Sequence, residues 1–173
     1  MTKTLDLSKL DLQDALDLAV LVEEEAKERY DELAAQMETH HTAEAAAFFH
    51  FMSANEAKHG EELAARRQEL FGAAPRRVDR SMVWEVEAPE YENVKAFMTL
   101  HEALTVAMAA EVKAHGFFTD ALKLPMADPV RKLFLELQEE EIHHQELVGR
   151  ALAKLPPDEA AAPEEFADEP VSQ

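Results

Sequence analysis

The chain writes one helical hairpin twice, and each time it places glutamate on the face that should be apolar. Leu16, Ala19, Glu23, Ala26, Tyr30 and Leu33 share one helical stripe, and Leu104, Ala107, Glu111, Ala114, Phe118 and Ala121 repeat it 88 positions later. Phe49, Met52, Glu56, His59 and Leu63 form a second stripe, which returns 85 positions on as Phe134, Leu137, Glu141, His144 and Val148. Four such stripes bury themselves only against one another, so the expected fold is all-α, an antiparallel four-helix bundle.

The breaks between stripes set the topology. Ser8, with Asp11 three residues on, marks the start of a first helix that runs to about Thr39. The His40-His41-Thr42 corner separates it from a second helix, with Thr42 as its N-cap and Phe71, Gly72 and Pro75 at its end. Gly72 to about Glu92 has no helical period and carries Pro75, Pro89 and an apolar Met82-Val83-Trp84 patch. A connection this long fits a crossover along the bundle better than a tight turn. The third helix is expected over about Asn93 to Leu124, ending at Pro125, and the fourth starts at Asp128-Pro129 and ends before Pro156-Pro157. Residues 1–155 therefore form the bundle, two helical hairpins joined by a long crossover in the ferritin-like arrangement. Residues 156–173, with six acidic side chains, no basic ones and four prolines, read as a disordered tail.

E-x-x-H pairs are weak signals alone, because 26 Glu and 8 His give roughly one by chance. Four occur: Glu38/His41, Glu56/His59, Glu140/His143 and Glu141/His144. Glu38/His41 lies at a helix end. Turning Glu140/His143 inward would bring Glu136 and Lys154 into the core, whereas Glu141/His144 shares its face with Phe134, Leu137 and Val148. Glu23, Glu56, Glu111 and Glu141 also fall near the middle of their helices. Antiparallel helices ~45 Å long share one level only at their centres, so these carboxylates should converge in one plane.

Four buried carboxylates repel one another and lose hydration worth several kcal/mol each, so they must protonate, admit water or find cations. Two divalent cations balance them and leave both imidazoles neutral. Two single Glu and two E-x-x-H pairs form the ligand set of di-iron and di-manganese bundles. Oxygen-rich ligation with one imidazole per metal suits Fe or Mn better than structural zinc. The candidate metal ligands are thus Glu23, Glu56, His59, Glu111, Glu141 and His144. The bland alternative is a solvated acidic face, since Glu23 and Glu141 each belong to a run of three Glu. Tyr30, two turns after Glu23, is either a core aromatic or a hydrogen-bond partner for a ligand carboxylate. His115, one turn after Glu111, could support the site, while His40, His41, His50, His101 and His143 read as surface or helix-edge residues.

Composition narrows the function. A net charge of -19 argues against nucleic acid and against an anionic membrane surface. No stretch reaches the ~18 apolar residues of a spanning helix, and Met1 to Asp14 lacks a signal peptide's apolar core, so a cytoplasmic protein is expected. With no Cys, disulfides, thiolate ligands and a thiol nucleophile are excluded.

Over about residues 10–155 the chain resembles the rubrerythrin and bacterioferritin branch of the ferritin-like superfamily. The resemblance rests on Glu23 with Tyr30 seven residues on, Glu56-Ala57-Lys58-His59, Glu111, and Glu141-Ile142-His143-His144. It implies a di-iron site bridged by Glu56 and Glu141, with Glu23 and Glu111 as terminal carboxylates and His59 and His144 as imidazole ligands. It also implies reaction of Fe(II) with dioxygen or hydrogen peroxide. Three departures shape the expectation. The missing Cys removes a rubredoxin-type iron module, so a peroxidase would need an external electron donor. Ala114 stands where rubrerythrins carry an extra carboxylate. Ala57 stands where bacterioferritins place a haem-ligating Met, so no haem is expected, and the tail is unlike a cage-forming helix. The leading expectation is a ferroxidase or peroxidase using two Fe ions (or Mn), with a homodimer among the assemblies it allows. Iron binding and delivery without turnover, and hydroxylation of an organic substrate, are the alternatives.

Overall fold

Three of the four helices begin where a side chain or a proline serves the first turn. In the computed structural model, which describes residues 5–82 and 86–156, α1 spans Leu12–Thr39, α2 Ala43–Phe71, α3 Leu100–Ala121 and α4 Asp128–Leu152. Asp11 caps α1 through a reciprocal capping box with Asp14, and Thr99 caps α3 in the same way with Glu102. Both starts differ from the sequence expectation. Ser8 belongs to a short 3-10 turn over Leu7–Lys9, capped by Asp6. Residues 93–99 stay out of α3, because the Thr99 box is the stronger start signal. Thr42 stands at the N-cap of α2, but its hydroxyl donates to the Met37 carbonyl. Asp128 is the first residue of α4 rather than its cap, beside Pro129. Gly72 closes α2 with φ +55°, a conformation that suits a residue without Cβ. The acidic tail from 157 onward and Val83-Trp84 lie outside the described residues.

The corner between α1 and α2 contains His41 at φ 61°, left-handed backbone that costs a side-chain-bearing residue about 1–2 kcal/mol. His41→Gly should relieve part of this strain. We expect a gain of about 1 kcal/mol, read as a thermal midpoint about 2–4 °C higher. An unchanged or lower midpoint would show that the backbone there carries no strain.

α1 packs along α2, and α3 along α4. The crossover runs parallel to α1 over most of its length, as a ladder of contacts shows. Arg77 pairs with Asp11 and Asp14, Arg76 with Glu24, and Arg80 with Glu28; Tyr91 then donates to Glu32, and Gln36 to the Lys95 carbonyl. The start of the strap is anchored by a buried pair, Asp17 with Arg67, and the Arg77 amide donates to the other Asp17 oxygen at 2.7 Å. Farther along, Arg29 of α1 donates to the Pro89 carbonyl and Lys113 of α3 to the Ala88 carbonyl.

The apolar core is divided in two. One cluster gathers Leu16, Val20, Leu63, Phe118, Phe134 and Leu137; the other gathers Leu33, Phe49, Met52, Leu104, Ala107 and Val148. Between them, at one level on all four helices, stand the glutamates. Among the described residues, no helix is long and apolar enough to cross a membrane.

Candidate metal centre

α1 brings Glu23, α2 brings Glu56 and His59, α3 brings Glu111, and α4 brings Glu141 and His144. Glu56 and Glu111 are fully buried, Glu23, Glu141 and His144 nearly so, and His59 is half-buried at one edge. The rings of His59 and His144 lie face to face, 4.9 Å between centroids and 4° from parallel. His144 Nδ1 is 3.1 Å from Glu111 Oε2, and the Tyr30 hydroxyl donates to Glu111 Oε1 at 3.1 Å. Tyr30 thus hydrogen-bonds one of the candidate carboxylates from inside the core. α1 and α2 meet closely here: a Cβ on Gly60 would sit 3.3 Å from the Glu23 Cβ, so glycine sets the depth of that contact.

The register of α4 follows from burial. Glu141 and His144 face inward, while His143 is exposed. Glu140 departs from the expectation of a merely outward residue. It is half-buried, and one of its oxygens lies within 4.8 Å of ligand atoms of both Glu23 and His59. His115 is half-buried and takes no part in any cluster of metal-binding donors among the described residues. His50 pairs with Glu38 on the surface, and His40 packs against Phe97.

Sequence reasoning missed Glu87. It belongs to the crossover, is 1 % exposed, and brings an oxygen within 4.8 Å of donor atoms of Glu56, Glu111 and His144. No helical period marks this segment, so its inward turn had no signal beyond the apolar neighbours Val86 and Ala88. Ala114 is itself buried in the core, and the additional carboxylate reaches the centre from a different element.

Electrostatics show what such a layer requires. Burial first, and then neighbouring carboxylates, push the Glu23, Glu56 and Glu87 carboxyls well above the usual carboxylate range. Glu141 is pushed up to about 12 by the same causes. Burial, then the facing His144, lowers the His59 imidazole. Burial and the Glu111 charge raise the Tyr30 phenol well above its usual value, so it stays a donor. Glu23 Oε2, both Glu56 oxygens, both Glu87 oxygens, Glu141 Oε2 and His59 Nδ1 are buried without a hydrogen-bond partner. Oxygen and imidazole donors left without protein partners, converging at one level, suit hard or borderline cations such as Fe(II) and Mn(II).

A family model described as Rubrerythrin matches residues 14–152. The chain belongs to the rubrerythrin family. A solved structure of an uncharacterised conserved protein from Magnetospirillum magnetotacticum is similar, at 30% identity and a TM-score of 0.63. That match covers 85% of this chain and 97% of the other. No curated protein matches. Membership accords with the all-α fold of paired hairpins and with the buried Glu/His cluster as a rubrerythrin-type di-metal site; the rubredoxin module of longer family members requires Cys, and this sequence has none.

Proposed function

We propose that this rubrerythrin-family protein is a di-iron oxidoreductase that oxidises Fe(II) with dioxygen, with hydrogen peroxide as its second oxidant. The observation that carries the reading is the layer of partnerless carboxylate oxygens between two apolar clusters, with two stacked imidazoles reaching its edge. Glu23, Glu56, His59, Glu111, Glu141 and His144 would hold the metal pair. When bound, the two ions supply redox and Lewis-acid chemistry.

The chain's own residues supply the surroundings. Tyr30 and His144 fix the Glu111 carboxylate from two sides, which limits its rotation. The two apolar clusters above and below the layer exclude bulk water. On the His59 side, a cavity of about 220 Å³ is lined by Glu62, Glu136 and Glu140 along with Arg66 and three leucines. Its acidic side chains attract a cationic substrate such as Fe(II).

Two Fe(II) ions yield two electrons. With two protons, these reduce dioxygen to hydrogen peroxide, or hydrogen peroxide to two waters. The test is to load the protein anaerobically with two Fe(II) per chain and mix it separately with each oxidant, following ferric absorbance. Comparable rates, or faster oxidation by dioxygen, are expected. A reaction orders of magnitude faster with peroxide, followed by re-reduction from an electron-transfer protein, would make this a peroxidase. Bound iron that neither oxidant touches would favour iron delivery, and failure to bind iron would end the metal-centre reading.

A further inference from the structure

We propose that Glu87 is an additional metal ligand, carried into the centre by the crossover, so that five carboxylates rather than four surround the metal pair. The inference rests on the metal-centre reading above and extends its ligand set beyond the helices.

Glu87 is not held in place by a helical face. A loop glutamate has every opportunity to reach water, and the energetic default is that it does. Here the carboxylate is instead 1 % exposed, and neither oxygen accepts a hydrogen bond. Burying a carboxylate without a partner costs several kcal/mol, so something must compensate for it. Among the described residues, the groups that meet the side chain are other carboxylates and an imidazole: Glu56 can share a proton with it, but none of them brings a fixed positive charge. Two cationic side chains hold the backbone beside it: Arg29 donates to the Pro89 carbonyl and stacks over Tyr91, 3.4 Å from its ring centroid, and Lys113 donates to the Ala88 carbonyl at 2.8 Å. These contacts clamp the backbone just after Glu87 from α1 and α3 together. Val86 and Ala88, on either side, are buried. The clamp therefore fixes the stretch of crossover from which Glu87 enters the layer.

The neighbours complete the case. Glu87 shares a sphere of donor atoms with Glu56, Glu111 and His144, all within 4.8 Å of one another. That grouping draws on α2, α3, α4 and the crossover, and it has the oxygen-rich, single-imidazole composition that suits Fe(II) or Mn(II). Five carboxylates also exceed the charge of two divalent ions by one, which favours the more highly charged, oxidised pair.

Titration of the full chain with Co(II), under conditions free of competing chelators, tests this through affinity and the visible ligand-field spectrum. Glu87→Gln keeps the shape and removes the charge. We expect at least one Co(II) to bind tenfold or more weakly and the spectrum to change, while Glu90→Gln, in the same crossover but exposed, behaves as the wild-type chain does. Affinity and spectrum both unchanged in Glu87→Gln would overturn the proposal. A wild-type chain that binds no metal at all would instead overturn the metal-centre reading itself. Should Glu87→Gln not fold, hydrogen exchange of the wild-type chain decides: amides of residues 86–90 should slow on Co(II) addition, and no slowing would overturn the proposal.

Discussion

Glu141→Ala and His144→Ala should each take the protein from two tightly bound Fe(II) ions to one or none, while His143→Ala retains both. The adjacent histidines have nearly identical chemistry in sequence, and only their direction differs. His144 is buried against Glu111 and the His59 ring, whereas His143 is exposed. Losing a ligand should cost more than the 10–100-fold typical of losing a hydrogen-bonding support, so an affinity loss of roughly 100-fold or greater is expected. Glu140→Ala should fall between the extremes, because its carboxylate reaches the Glu23–His59 edge without being enclosed. Anaerobic Fe(II) titration with elemental analysis measures the series. A greater loss from His143→Ala than from His144→Ala would mean that α4 sits one residue out of register.

Metal-free protein should gain stability as the pH falls from about 8 to 5, and metal should reverse that trend. Glu23, Glu56, Glu87 and Glu141 have folded-state pKa values raised above those of the unfolded chain. A group raised in this way contributes stability below its unfolded value, and the contribution is lost as pH rises toward its folded value. Each proton so taken up on folding is worth about 1.4 kcal/mol per pH unit between those limits. His59, lowered from 6.5, acts in the opposite sense below that pH, but as one group against several. The carboxylates held low, Asp6, Asp11, Asp31, Asp79 and Glu102, lose their contribution only as pH falls below the ordinary carboxylate range. Metal displaces the cluster protons, so loaded protein should melt higher, and by more at pH 8 than at pH 5; at 1,000 times its Kd the gain is about 4 kcal/mol. Thermal melts with and without Fe(II) under anaerobic conditions measure this. Superimposable curves would mean that metal does not engage the core.

The helices were legible because period and repetition reinforce each other. A misphased stripe would have to be misphased twice, 88 or 85 positions apart. Helix starts were less legible, since Ser8 with Asp11 and the stretch from Asn93 also suit a first turn, and the choice depends on which reciprocal partner closes. Asp11 with Asp14 and Thr99 with Glu102 both do. The crossover was the blind region. Its residues are placed one at a time by Arg29, Lys113, Arg76 and Arg77 rather than by a period, so neither Glu87 nor the buried Asp17–Arg67 anchor could be read ahead of the structure. Glu140 was legible as a helical position, but the width of the helix face it borders is a tertiary property.

The two halves of the chain are not interchangeable, and one difference between them is a single oxygen. Tyr30 in the first half corresponds to Phe118 in the second, 88 positions on. Glu111 accordingly receives a phenolic hydrogen bond, while Glu23, its counterpart, has no matching hydroxyl on Phe118 to receive. A hydrogen bond from a phenol draws electron density from the carboxylate oxygen that accepts it. An otherwise near-symmetric scaffold thus offers two seats of unequal electron-donating strength. Ions occupying them should load in sequence and surrender electrons at different potentials, giving the pair a built-in polarity.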